Sequence, residues 1–414
     1  NRIAQIPLVR EDASLGKIDL KAINNREIAG GTSSYEVINQ YVPKGGDRNR
    51  RFDVTLLING LPLIHIELKN QDHPFMDAFR QIQKYADEGQ FQGLFGFIQM
   101  FVVSNGAQTR YIAANSNGEL NQRFLIRWVD EENQPVEDCL TFAKQVLNIP
   151  AAHLMVGNYS VIDDEKRQLI LLRPYQIHAI SKVRLASRVR DSGFVWHTTG
   201  SGKTLTSYTV TKNLLDIPSV DKTIFLIDRK DLDQKTTEDF LSYAEHDSVD
   251  ILETESTADL ERKLSSKDRV AIVTTIQKLQ RILRRLSAKE LTPKLGKLKE
   301  KIQSKRIVFV VDECHRAVAP QTKREIERFF HSPGYSSLWY GFTGTPIFQE
   351  NQRTALGDAA RTTKDQYGEC LHRYTIKEAL KDQSVLGFQI QTLGRSADTF
   401  RQLALEMGLY NEDT

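Results

Sequence analysis

The sequence predicts an α/β chain in two units: a parallel sheet built around a phosphate-binding loop, preceded by a smaller α/β unit centred on a β-hairpin. Three observations predict this. The stretch Trp196-His197-Thr198-Thr199-Gly200-Ser201-Gly202-Lys203-Thr204 joins an apolar run to a helical one. After it, near-continuous β-branched runs alternate with helical stretches, the pattern of a parallel sheet covered on both faces. Before it, two β-rich runs flank Asn59-Gly60, a dipeptide that favours tight hairpin turns.

Bulk properties bound the reading. At 414 residues the chain has room for two or three domains. No apolar run approaches a membrane span and no signal peptide is visible, so no membrane partner is expected. The first residue is Asn1 and not Met, and we expect the true N-terminus to be missing. Cys139, Cys314 and Cys370 are scattered and odd in number, which suggests a reducing, cytoplasmic setting without a disulfide framework or zinc site. A net charge of +3 is too small to argue a nucleic-acid partner, so any such argument must be local.

In the first unit, Tyr35–Tyr41 is a predicted strand. Phe52–Ile58 and Leu61–Lys69 form the hairpin. Alternation along a strand puts Glu67 and Lys69 on one face. A two-residue loop at Asn59-Gly60 pairs Asp53 with Ile66, on the wrong face. A three-residue loop with Gly60 left-handed pairs Asp53 with His65 and brings it beside Glu67. The sequence therefore predicts that Gly-bulged loop, or a bulge around Pro62, which cannot donate to a ladder. Asp53 and Glu67 together suit a divalent cation such as Mg²⁺, and Lys69 is then placed to orient water or steady a phosphodiester. The bland alternative is three charges on a solvent-facing strand. Downstream, Asp77–Tyr85 is a predicted helix with Gln81 and Tyr85 on one face, in reach of DNA or of the carboxylates.

In the second unit, Phe194–Trp196 ends a buried strand and a helix runs from Thr204 through Leu215. Thr199, Gly200, Ser201 and Gly202 let successive N–H groups face phosphate oxygens; Lys203 reaches the β- and γ-phosphates, and the Thr204 hydroxyl ligates Mg²⁺. His197 stands where the usual pattern has Gly or Ala. Gln176, before a helix upstream, offers a donor and an acceptor to adenine. Strands are predicted at Thr223–Asp228, Val270–Thr274, Ile307–Val311 and Leu338–Phe342, and ligands of such sheets sit at their carboxyl ends. There Asp312 would bind Mg²⁺ and Glu313 would orient or deprotonate the attacking water. Between Arg281 and Arg306 lie ten Lys/Arg, predicted as two basic helices broken at Pro293, most simply a solvated surface.

Gly-Ser-Gly-Lys-Thr (200–204), Asp-Glu-Cys-His (312–315) and Thr-Gly-Thr-Pro (343–346), in this order, resemble motifs I, II and III of superfamily 2 helicases and translocases. Asp53, Glu67-Leu68-Lys69 and the Gln81…Tyr85 pair resemble the nuclease domain of the restriction (R) subunit of type I restriction-modification enzymes. The resemblance covers about residues 35–380. It implies a PD-(D/E)xK nuclease-like domain over 1–145, a linker over 146–168, a RecA-like ATPase lobe over 169–380, and over 381–414 the start or remnant of a second lobe or a helical segment. It also implies ATP-driven translocation of double-stranded DNA with Mg²⁺-dependent cleavage, in a complex with methylation (M) and specificity (S) subunits. Two family features are not placed: a further acidic metal ligand from an upstream helix, and the second lobe with its arginines. A truncated subunit that binds ATP with little hydrolysis is the expectation. The competing readings are a DNA-repair helicase or translocase with a non-cleaving first domain, and a DNA-binding scaffold that holds ATP without hydrolysing it.

Overall fold

The structure, a computed structural model, describes residues 5–9, 17–21, 23, 33–42, 50–114, 120–227, 234–245, 251–254, 256–288, 290–331, 335–352, 361–382 and 384. A hairpin (β1, Gln5–Val9; β2, Lys17–Lys21) precedes a five-stranded sheet of β3 (Tyr35–Tyr41), β4 (Phe52–Ile58), β5 (Leu61–Leu68), β6 (Met100–Ser104) and β7 (Thr109–Ala113), ordered β3-β4-β5-β6-β7. Strands β5 and β6 are parallel and the other pairs antiparallel. The crossover between β5 and β6 carries helix α1 (Phe75–Asp87), whose Ala78, Phe79, Ile82 and Tyr85 form one buried stripe at helical spacing.

The hairpin corrects one expectation. Asn59 (φ 52°) and Gly60 (φ 77°) are both left-handed, so the turn has two residues, as Asn-Gly favours, and not three. The register shift lies nearby: Leu56 pairs with Ile64 but Leu57 with Pro62, which leaves Leu63 as the extra residue of a bulge in β5. Beyond it Val54 pairs with Ile66, and continuing the ladder sets Asp53 opposite Glu67 itself. The bulge expected around Pro62 is therefore present, and the two acids share a face.

A small hairpin (β8, Trp128–Val129; β9, Pro135–Val136), helices α2 (Cys139–Phe142) and α3 (Ala151–Gly157), and a second hairpin (β10, Ser160–Asp163; β11, Gln168–Leu171) follow. The stretch 146–168, expected as a linker, is packed structure: Met155, Val156 and Val161 belong to one apolar core with Ile64, Val102, Ile180 and Val195. Polar ties span the same junction. The Tyr111 hydroxyl donates to the Leu172 carbonyl at 3.1 Å, and His178 Nε2 lies 2.9 Å from the Val129 carbonyl.

The second sheet is parallel throughout, ordered β14-β15-β13-β16-β17-β12-β18. Its strands and flanking helices run α4 (Pro174–Arg188), β12 (Gly193–His197), α5 (Lys203–Leu215), β13 (Lys222–Ile227), α6 (Gln234–Ala244), β14 (Ile251–Glu253), α7 (Thr257–Ser265), β15 (Val270–Thr275), α8 (Ile276–Leu286), α9 (Pro293–Gln303), β16 (Ile307–Val311), α10 (Cys314–Ala317), α11 (Pro320–Phe330), β17 (Leu338–Thr343), α12 (Thr363–Tyr367), β18 (Glu369–Tyr374) and α13 (Ile376–Lys381). All four predicted strands are present; Asp228 lies outside the described residues, as does the chain beyond Ser384. Helix α5 is buried from Leu205 to Leu215 although it carries Thr206, Ser207, Thr209 and Thr211. Their hydroxyls donate to carbonyls one turn back (Thr209 to Leu205 at 2.9 Å, Thr211 to Ser207 at 2.7 Å), so none of these four hydroxyls is stranded. The basic stretch forms α8 and α9, with Thr292 capping the second helix and Pro293 at its first position.

Helix α10 is seated by close packing. A methyl added at Gly341, on β17, meets Cys314 Sγ at 2.6 Å and Cβ at 2.8 Å. Gly341→Ala is expected to destabilise the fold by about 1–3 kcal/mol through overpacking, checked by denaturant unfolding; an unchanged midpoint would contradict this seating.

Candidate functional site

The acidic cluster sits on the α1-covered face of the first sheet. Thr55, His65 and Glu67 are fully buried there, while Ile64 and Ile66 point to the other face and its core. Asp53 Oδ2 accepts the Leu68 N–H at 2.9 Å, which anchors it across the strand from Glu67. Lys69 Nζ stands 3.5 Å from Glu67 Oε1 and donates to Gln81 Oε1. Gln81 Nε2 donates to the Tyr85 hydroxyl at 2.5 Å, and Tyr85 donates to the Arg51 carbonyl at 3.2 Å. Gln81 and Tyr85 thus hold Lys69 in place, and the structure brings all five predicted residues of this cluster together.

Electrostatics mark the cluster as unusual. Burial first, then the negative charge of Asp53, pushes the Glu67 carboxyl up to about 8, with Lys69 opposing. Burial pushes His65 down to about 4. Neither Glu67 oxygen meets a hydrogen-bond donor in good geometry, a costly arrangement for a buried polar group. A divalent cation between Asp53 and Glu67 would offset it, so these residues fit Mg²⁺, which uses one or two carboxylates and completes its shell with water and phosphate. Among the described residues no group of three or more His, Cys, Asp or Glu is gathered for a metal, and none supplies the expected further acid.

The nucleotide loop lies at the carboxyl ends of the second sheet. Gly200 (φ 80°) and Gly202 (φ 72°) take the left-handed turns that other residues resist. Ser201 is buried and its hydroxyl donates to the Thr198 carbonyl at 2.6 Å. Thr199 and Gly200 are exposed and Thr204 is half-buried at the first turn of α5, where the helix dipole favours an anion. Lys203 Nζ lies 3.5 Å from Glu313 Oε1. Asp312 directly follows β16, its Oδ1 accepting the Glu313 N–H at 3.0 Å. Glu313 itself is left-handed (φ 42°, ψ 48°), a strained state for a non-glycine residue of the sort that gathers at working sites. Its Oε2 lies 3.4 Å from His315 Nδ1, and that nitrogen lies 2.9 Å from Thr343 Oγ1, which also accepts the Thr345 N–H at 3.0 Å. A continuous polar chain therefore joins Lys203, Glu313, His315 and the Thr343–Thr345 turn.

Residues 175–402 match the model of the SWI2/SNF2 ATPase family. The chain belongs to that family. Residues 6–119 match a second model, the type I restriction enzyme R protein N terminus. The chain is 37% identical over 387 residues to a type I restriction enzyme endonuclease subunit of Staphylococcus saprophyticus, which is 93% of this chain and 39% of that relative. It is 36% identical over 403 residues to one of Staphylococcus aureus, 97% of this chain and 40% of the relative. It thus spans about two fifths of the curated relatives it matches. A SWI2/SNF2 ATPase core from Sulfolobus solfataricus, solved with double-stranded DNA, overlaps 46% of this chain and 34% of its own at 20% identity and TM-score 0.32.

Gln176, expected beside adenine, has both ends of its amide engaged within the protein. Its Oε1 accepts the Arg173 N–H at 2.9 Å and its Nε2 faces the Ser201 and Gly202 carbonyls at 3.4 and 3.3 Å. Both amide ends brace helix and loop, so contact with adenine requires sharing them. Tyr175, which sequence reasoning missed, donates to the Ser201 carbonyl at 2.8 Å and stacks on Tyr374 of β18 at 3.7 Å between centroids. His197 is buried behind the loop, its Nε2 2.9 Å from His372 Nδ1. Thr55 and His65 were also missed, although strand alternation puts them on the same face as Asp53 and Glu67.

The raised Glu67 value has a consequence for stability. In the unfolded chain this carboxyl ionises near its ordinary 4.5, in the fold near 8. Its contribution is therefore full below 4.5 and is lost as pH rises through about 8. Glu67→Gln lacks that loss. Without divalent metal, its melting-temperature gain over the parent is expected to grow from about pH 5 to pH 8 and then level off; a pH-independent difference would contradict the buried neutral carboxyl.

Proposed function

We propose that the chain is the N-terminal part of an ATP-dependent type I restriction endonuclease subunit, which moves double-stranded DNA with the second unit and cuts it with the first. One observation carries this reading: Asp53 and Glu67 lie across one hairpin with Lys69 beside them, in the same chain as a nucleotide loop joined to Glu313. The two family matches fall on these same two units.

In the first unit, Asp53 and Glu67 would hold Mg²⁺, and the metal, when bound, supplies an activated water and charge for the phosphodiester. Lys69, fixed by Gln81 and Tyr85, places a positive charge where the phosphate gains negative charge. In the second, Gly200, Ser201 and Gly202 turn backbone N–H groups toward a triphosphate and Thr199 flanks them. Lys203, paired with Glu313 at 3.5 Å, would move its charge onto the phosphates, which frees Glu313 to orient water. Thr204 and Asp312 would hold the nucleotide's Mg²⁺. The His315–Thr343–Thr345 chain would pass that change to the turn after β17. Partners are double-stranded DNA and the M and S subunits, with S reading the sequence, in the cytoplasm. Among the described residues no helix is long and apolar enough to cross a membrane.

The test is made in the assembled complex. Asp53→Ala should lose cleavage by more than about a hundredfold while ATP hydrolysis and translocation stay within about twofold. Lys203→Ala should lose all three. Cleavage that survives Asp53→Ala would favour a translocase with a structural first domain; ATP-independent cleavage that survives Lys203→Ala would favour a scaffold.

A further inference from the structure

We propose that His65, fixed by Thr55, is a positioning residue that decides which oxygen of Glu67 faces the metal. The proposal rests on reading Asp53 and Glu67 as a metal-holding pair. Thr55 and His65 face each other in the β4–β5 ladder, both fully buried, with Thr55 Oγ1 3.1 Å from His65 Nδ1. The other ring nitrogen, Nε2, lies 3.3 Å from Glu67 Oε2. Phe52, Phe91 and Phe101 crowd the imidazole with centroids at 4.7, 5.6 and 6.1 Å, which holds the ring in this orientation.

The two oxygens of Glu67 thus have different neighbours: the imidazole for Oε2 and the Lys69 ammonium for Oε1. Nε2 and Oε2 are both buried, face each other, and complete no hydrogen bond. An ionised carboxylate only accepts, so a Glu67 ionised against a cation requires the proton on Nε2 and a bare Nδ1. The Thr55 hydroxyl meets that demand by donating to Nδ1. A small turn of the carboxylate then closes the Nε2–H···Oε2 bond, as polar contacts at working sites commonly tighten when occupied. Oε2 is held by the protein and Oε1 is left for the metal, giving one-oxygen coordination. This is the arrangement by which outer partners orient metal ligands. Packing alone would ask only for an aromatic ring at this position; positioning asks for a ring or chain with an N–H at Nε2.

The experiment is calorimetric titration of the 414-residue chain with MnCl₂ at fixed pH, for the parent, Asp53→Ala, His65→Phe, His65→Gln and Thr55→Val. Asp53→Ala isolates the share of binding that belongs to this site. His65→Phe suits the aromatic cage and removes the donor; its affinity should fall by about tenfold or more. His65→Gln returns an N–H near Nε2 and should recover most of the loss. Parent-like binding by His65→Phe, or His65→Gln no better than His65→Phe, overturns the proposal. If circular dichroism shows His65→Phe unfolded, Thr55→Val decides: weaker binding supports the proposal and unchanged binding overturns it. A parent that binds no Mn²⁺, or binds it no better than Asp53→Ala, instead overturns the reading of the acid pair itself.

Discussion

The register between β4 and β5 is the constraint on which the rest depends. A strand alternates faces with every residue, so one residue of slip would send Asp53 away from Glu67. Leu63, the extra residue of the bulge, removes that slip. It combines a tight two-residue Asn-Gly turn with two carboxylates on one face, and neither feature has to yield. Burial then does the rest. On that face α1 lays down Gln81, which accepts from Lys69, and Tyr85, which holds Gln81, and the carboxyl of Glu67 is removed from water without donors to satisfy it. A site that is electrostatically poor by itself is one that a cation and a phosphate improve.

The two units share their interior. Ile64 and Ile66, neighbours in sequence of the acid pair, lie in the same core as Ile180 of α4 and Val195 of β12. Helix α4 also supplies Gln176 and Tyr175 to the nucleotide loop. The back of the acidic sheet and the brace of the phosphate loop are thus parts of one packed body. Such packing gives a contiguous material path between the two sites.

Much of this was legible in the sequence because it rests on local rules. Gly200 and Gly202 are needed for left-handed backbone, apolar runs mark the strands of a covered parallel sheet, and Asn59-Gly60 marks the turn. The same-face placement of Asp53 and Glu67 was legible as a requirement, but the loop chosen first to meet it was wrong. Which strand takes the extra residue depends on how Leu63 and Ile64 pack, and that is decided by distant parts of the chain. The brace that Gln176 forms was hidden for a similar reason: an amide advertises a donor and an acceptor, while the partners are set by the fold. His65 carries no sequence signal beyond parity with Glu67, and its meaning comes from 3.3 Å of separation in a dry interior.

The central claim is that the first unit holds a metal between Asp53 and Glu67 independently of the nucleotide loop. Anomalous diffraction from crystals of the chain soaked in Mn²⁺ without nucleotide tests it most directly. The account predicts a peak within about 2–2.5 Å of an oxygen of each carboxylate, a distance typical of hard divalent cations. A map with no peak there, or with its sole peak beside Thr204 and Asp312, would contradict it.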